Sequence, residues 1–168
     1  MTVLLLAAGA LLLLGATFTN NNVNDQLARQ RIFFPAKGSP ALAPAAIGRY
    51  LNRYAGQQLL TGPQAKAFAD HFIAEHLDAI GGGKTYAQVS AASLADPTDT
   101  KLETQRQLLF EGQTLRGLLL EAYAFSTIGE ITHVAALTSL VLGAVCFTFL
   151  VLHLLVPVAG RRTPGADA

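Results

Sequence analysis

The longest uninterrupted apolar segment of the chain extends from Ile131 to Val156. It includes no Asp, Glu, Lys or Arg, and more than half of its residues are Leu, Ile, Val or Phe. With a helical rise of about 1.5 Å per residue the segment would be about 39 Å long, more than the roughly 30 Å of a bilayer's hydrocarbon core. A helix that is apolar on every side over this length is typical of a membrane span. The segment therefore predicts a transmembrane helix at 131–156.

A second apolar run occupies residues 1–18 (MTVLLLAAGALLLLGATF). As a helix it would reach about 26 Å, which is enough to span a locally thinned bilayer. A secretory signal peptide is the alternative. The run has no basic residue at its start, and bulky Phe18 stands where cleavage requires a small side chain. We expect an uncleaved anchor; a start codon assigned too late would explain the missing basic leader.

The basic residues after the second span predict the orientation of the chain. Arg161 and Arg162 lie in the short tail 157–168, and cytoplasmic segments next to spans carry an excess of Lys and Arg. The tail is therefore expected in the cytoplasm. Two spans then place the segment 19–130 outside, and a segment of this length is translocated largely regardless of its charge.

The segment 19–130 shows helical spacing of its apolar residues and no useful alternating pattern of a strand. Prolines at the start of this segment predict a loop over 32–44. A short helix is expected over 45–54, a longer one from a cap at Thr61 to Gly81, and a third over 85–95. The expected core is rich in aromatic residues: Phe33, Phe34, Tyr50, Tyr54, Phe68, Phe72, Tyr86, Leu109 and Phe110.

The last helix of this segment is expected to begin at Thr100, because Thr100 and Glu103 fit a capping box. Gly112 and Gly117 are weak interruptions, and Gly129 is a candidate position for a kink before the second span. The predicted fold class is mainly α, with two transmembrane helices that flank an extracytoplasmic helical domain and with the last helix of that domain leading into the second span.

Composition excludes several classes of site. Only 14% of the residues are charged, against about a quarter in typical soluble domains, and the net charge is +1. The sequence has no cluster of Lys and Arg residues, so it does not indicate a nucleic-acid partner. The single cysteine, Cys146, lies in the second apolar segment, so a disulfide within the chain and a cysteine zinc site are both excluded. The expected partners are the lipid bilayer and other membrane protein subunits.

Two motifs in the segment 19–130 resemble ligand sites without matching them. The run 81–85 (GGGKT) is similar to the end of a phosphate-binding loop, but Asp78 replaces the first glycine of that motif and a helix precedes it. The run is better interpreted as a helix end, and we expect no bound nucleotide.

His71 and His76 are separated by about 140° on a helix, whereas a zinc pair needs a spacing of three or four residues. We expect His76 in the core and predict no metal and no cofactor.

His133 and His153 lie within the second apolar segment, where polar residues are functional hypotheses. Their spacing in sequence puts them about 30 Å apart along a helix and about 160° apart around it. Axial ligation of haem would require a histidine from another chain, and the sequence has no CxxCH motif. Roles at the membrane interface or in helix packing are favoured.

Small residues recur every four positions in the second apolar segment, at Ala135, Ser139 and Gly143. This arrangement lets two helix backbones approach closely, and it predicts a packing face. The partner is either the first span, whose Ala8, Gly15 and Ala16 are also small, or a helix of another protein.

The segments RIFFPAKGSPAL, YAGQQLLTGPQAKAFADHFIAEHL, GGGKTYAQVSAASLA and LLFEGQTLRGLLLEAYAF follow one another between residues 31 and 125. In this order, and with a span after them, they resemble a family of small two-span membrane proteins of high-GC Gram-positive (actinobacterial) bacteria. The resemblance implies two anchors around an external helical domain. It implies no activity, cofactor or catalytic residue.

The sequence contains no G-x-S-x-G nucleophile motif and no paired carboxylates, so an enzyme is not expected. We expect an integral, multi-pass protein of the cell membrane that is a non-catalytic accessory or scaffold subunit of a larger respiratory or envelope assembly. An extracytoplasmic ligand-binding or sensor module, with a pocket enclosed by the Phe- and Tyr-rich helices, is one alternative. A haem- or metal-binding electron-transfer subunit that uses His133 or His153 is the other.

Overall fold

The computed structural model describes residues 1–155, which are mainly helical. Within this range the backbone forms no strand, and its isolated β-bridge pairs Phe33 with Gln58. The elements in chain order are α1 (Thr2–Gln30), a 3₁₀ turn (Pro40–Leu42), α2 (Ala45–Leu51), a 3₁₀ turn (Asn52–Tyr54), α3 (Gly62–Ala67), a π-helical segment (Phe68–Ile73), α4 (Ala74–Gly81), α5 (Tyr86–Ala95) and α6 (Thr100–Leu155).

The described residues form two compact units. The first unit, called here the helix pair, consists of residues 1–15 and 131–155. The second unit, called here the central domain, consists of residues 16–130.

Two helices, α1 and α6, are long and apolar enough to cross a membrane. Only 11% of the most apolar 18-residue stretch of each helix is buried, so neither stretch resembles the core helix of a soluble protein. The asparagines at 20, 21, 22 and 24 do not interrupt α1. The helix continues to Gln30 and ends where Arg31 takes the left-handed conformation (φ 53°). Helix α6 continues through the glycines at 112, 117 and 129 without interruption.

Asp99 caps the start of α6. Its carboxylate accepts hydrogen bonds from the backbone N–H groups of Lys101 (2.9 Å) and Leu102 (3.0 Å). The predicted capping box of Thr100 and Glu103 was therefore wrong by one residue, because a carboxylate at the N-cap satisfies the same unpaired amides. The side chain of Glu103 points instead to Arg106 and Ser93.

The helix predicted from Thr61 begins as expected. Thr61 and Gln64 form a capping box, and Pro63 lies in the first turn. The helix ends at Gly81, and Gly82 follows in the left-handed conformation. The glycine run 81–83 is thus a helix end, as predicted. Within this helix, residues 68–73 are π-helical, a local widening that the sequence did not predict.

The core of the central domain is mostly aliphatic, and the predicted aromatic residues Tyr54, Phe72 and Tyr86 are partly buried against it. Phe34 and Phe68 are buried with Leu109, whereas Phe33, Tyr50 and Phe110 are exposed, contrary to prediction. Adjacent residues in extended backbone point to opposite sides, and adjacent residues in a helix are about 100° apart, so a buried residue often has an exposed neighbour. The largest side chains that are fully buried are Leu51, Leu59, Val89, Leu109 and Leu119.

Candidate functional site

Glycines bring the two helices of the helix pair into close contact. A Cβ atom added at Gly9 would lie 2.7 Å from Leu140 Cγ and 3.1 Å from the Ala136 carbonyl oxygen. A Cβ atom added at Gly143 would lie 2.8 Å from Leu6 Cδ2 and 3.3 Å from the Leu6 backbone nitrogen. Because both glycines lack a side chain, the two backbones approach more closely than larger residues would allow.

A hydrogen bond and a buried alanine complete this contact. Ser139 Oγ donates to the Leu5 carbonyl oxygen at 2.8 Å. Ala136 has 0% exposure, whereas Ala135 is exposed. The structure thus brings Ser139 and Gly143 of the predicted face against α1, with Ala136 rather than Ala135 in the adjoining turn. A strict four-residue spacing drifts around a helix of about 3.6 residues per turn, and this drift displaces Ala135 from the contact. On α1 the contact is made by Gly9, which no pattern in the sequence had singled out.

The end of α6 lies beyond this contact. Every residue from 144 to 150 is exposed, among them Cys146, Phe147 and Phe149. These side chains are almost all apolar, and Phe149 has 69% exposure. An exposed apolar surface of this kind is typical of a site that contacts lipid or another protein.

The two histidines that the sequence singled out in the second apolar segment lie on the same helix, α6. His133 and His153 are both exposed on α6, and the first apolar run contributes no histidine. In residues 1–155 no group of three or more His, Cys, Asp or Glu side chains could hold a metal ion. Arg161 and Arg162, with the rest of the predicted tail, lie outside the described residues.

The two histidines of the central domain have different environments. His71 stacks on Tyr50 with ring centroids 3.6 Å apart and planes at 4°. His76 is exposed, and its Nδ1 lies 2.6 Å from the Phe72 carbonyl oxygen. The prediction that His76 is a core residue was wrong, because the π-helical segment just before it changes the angular register of the helix.

An ionic cluster joins the π-helical segment to α6. Arg116 donates to the carbonyl oxygen of Ala69 (3.2 Å) and to the Asp70 carboxylate (3.1 Å), and Lys66 also pairs with Asp70. Partial burial raises the pKa of Asp70, but the hydrogen bonds and charges of Lys66 and Arg116 outweigh this effect, so the pKa lies below its ordinary value. The cluster holds the π-helical segment against α6.

A second ionic contact lies near the start of α6. Hydrogen bonds from Arg106 and then from Ser93 lower the pKa of Glu103 from its ordinary 4.5 to about 2. The contact holds α5, which contains Ser93, against α6.

A groove with a volume of about 460 Å³ lies between α1 and α6 in the central domain. Small-molecule sites have volumes of roughly 300–1,000 Å³. The wall formed by α6 contains Leu118, Glu121, Ala122 and Phe125. The wall formed by α1 combines apolar residues, one hydroxyl group and amides: Phe18, Val23, Leu27, Thr19, Asn22, Gln26 and Gln30. No direct signal in the sequence predicts this groove, because it depends on how two distant helices pack.

Comparison of the chain with protein-family models, curated proteins and solved structures finds no match. The resemblance to a family of two-span actinobacterial membrane proteins therefore stays a prediction.

Proposed function

We propose that this chain is a multi-pass protein of the cell membrane with its central domain outside the cytoplasm, and that it is a non-catalytic accessory subunit of a larger membrane assembly. The helix pair anchors the protein, and the central domain is held at the outer surface. Recognition of a partner subunit takes place within the bilayer.

The exposed end of α6 supports this proposal. The small-residue face of α6 is already used by α1, through Ser139 and Gly143. The segment 144–150 has no comparable packing partner within the described chain, and it exposes large apolar side chains such as Phe147 and Phe149. Helices associate in membranes through packing and hydrogen bonds, so an unused apolar surface next to an anchored pair can receive a partner helix.

Photo-crosslinking in intact cells tests the association. Phe149 is replaced by a benzophenone amino acid, and the crosslinked products are identified by mass spectrometry. We expect one discrete adduct with a different membrane protein. The same replacement at Leu94, which is also strongly exposed but lies in α5, is the matched control and should not give that adduct. Lipid adducts alone, or an adduct between two copies of this chain, would contradict the accessory role.

A ligand-binding module outside the cytoplasm is a second candidate function, and the groove between α1 and α6 favours it. The groove does not lie among the aromatic residues where the sequence predicted a pocket. There, Phe68 packs against Phe34 and Phe72 with ring centroids 5.4 Å and 4.7 Å apart.

An absorption spectrum of the purified protein tests the haem alternative, because bound haem gives a Soret band.

A further inference from the structure

The groove between α1 and α6 is lined by both apolar and polar side chains. Leu118, Ala122 and Phe125 line it from α6, while the amides of Asn22 and Gln26 lie on the α1 side and are hydrogen-bonded to each other. A site with this division suits an amphiphile better than a fully polar solute, because a fully polar solute would leave the apolar wall in contact with water.

Both walls of the groove begin close to the apolar runs of their helices. Phe18 is the last residue of the first run, and α1 continues through it without a break. On the other wall, Phe125 lies less than two helical turns before Ile131, where the second apolar segment begins. The groove therefore starts near the predicted edge of the hydrocarbon, within reach of an acyl chain of a lipid.

The charge of the groove indicates the head group of the occupant. Among the residues that line it in the described chain, Glu121 alone is charged. Glu121 is exposed, so its carboxylate is accessible to a head group at the edge of the groove. A carboxylate attracts an ammonium group and repels the net negative charge of an anionic lipid.

We propose that this groove binds one acyl chain of a bilayer phospholipid whose head group carries an amine. The inference rests on the membrane location that forms part of the proposed function. It is independent of any partner subunit, so purified protein in vesicles tests it separately from the crosslinking.

Fluorescence quenching by brominated acyl chains reports the occupant directly. The natural chain contains no tryptophan, so a Leu118→Trp variant carries a single fluorophore in the groove. Leu118 lies more than three helical turns before Ile131, so the chains of the surrounding bilayer do not reach it. We expect quenching by brominated phosphatidylethanolamine in vesicles. A Leu94→Trp variant places the fluorophore outside the groove and should show no quenching.

Two further substitutions separate binding in the groove from a nonspecific effect. In the Leu118→Trp background, Ala122→Phe fills the groove and should abolish quenching, whereas Ala124→Phe, an exposed position outside the lining, should preserve it.

Glu121→Gln tests the head group. It should remove a preference of roughly threefold for phosphatidylethanolamine over phosphatidylglycerol, the size expected of one exposed ion pair.

Three results would overturn the proposal. The first is an absence of quenching in Leu118→Trp, and the second is quenching that survives Ala122→Phe. The third is equal quenching by the two lipids when Glu121 is intact, which would contradict the assignment of an amine head group.

Discussion

Individual small residues determine how closely the helices of the central domain pack. Gly62, at the start of α3, lies against α6, where an added Cβ atom would be 2.6 Å from Ser126 Oγ and 3.3 Å from Tyr123 Cα. Gly117 lies on α6 itself, and apart from its neighbours and the backbone of its own helix no atom is within 4 Å of the position of its missing Cβ. The same residue type therefore has opposite roles at these two positions.

Alanine substitutions at the two glycines should change stability in opposite directions. Gly62→Ala should lower the free energy of unfolding by about 1–3 kcal/mol, because an added methyl group has no space against α6. Gly117→Ala should raise it by up to about 1 kcal/mol, because alanine favours a helix. Urea unfolding of the full chain in nonionic detergent, followed by circular dichroism, measures both. Equal effects of the two substitutions would contradict the described packing.

The carboxylate of Glu103 should make stability depend on acid pH. Its pKa is about 2 in the folded protein against an ordinary 4.5, so folding favours the ionised form. The stabilisation is complete above about pH 4.5 and is lost as the pH falls towards 2. Glu103→Gln and Arg106→Gln should both flatten this part of the pH profile of the unfolding free energy. A profile as steep as that of the natural chain in both variants would refute the contact.

At the scale of elements, short-range signals predicted most helix limits. The cap at Thr61 and the glycine end of α4 follow from residues that are neighbours in sequence, and both were predicted. The use of Ala136 rather than Ala135 follows from the helical repeat of about 3.6 residues, whereas the π-helical segment 68–73 and the groove depend on packing between distant residues. Local spacing carries no information about such packing, so these features could not be predicted.

The start of α6 allows a direct test of which residue is its cap. Asp99→Ala should lower the free energy of unfolding by about 0.5–2 kcal/mol, because the amides of Lys101 and Leu102 lose their acceptor. Thr100→Ala, at the next position, should change it by no more than about 0.5 kcal/mol. A larger loss of unfolding free energy in Thr100→Ala than in Asp99→Ala, measured by urea unfolding, would support the capping box that the sequence predicted.

Packing within the helix pair is tested by two neighbouring substitutions. Gly143→Leu should destabilise the pair by about 1–3 kcal/mol, since a side chain at this position would collide with Leu6. Ala144→Leu, on the exposed side of the same helix, should have little effect. The thermal midpoint of the full chain in detergent distinguishes them. Equal midpoints for the two variants would mean that the helices are not held together at Gly143.

For the whole molecule, the helix limits and the proposed topology rest on different evidence. The two helices are long and apolar enough to cross a membrane, and their apolar stretches are mostly exposed. The side on which the central domain lies is proposed from Arg161 and Arg162 alone, because basic residues tend to remain in the cytoplasm. The proposed partner and the proposed lipid both require that the apolar stretches of α1 and α6 lie in the membrane.

Cysteine accessibility in intact cells tests this arrangement most directly. In a Cys146→Ala background, one variant carries Lys84→Cys in the exposed loop before α5, and another carries a single cysteine added after Ala168. A membrane-impermeant maleimide should label the Lys84→Cys variant in intact cells and the C-terminal cysteine only after lysis. Labelling of the C-terminal cysteine in intact cells, with Lys84→Cys protected until lysis, would contradict the proposed topology.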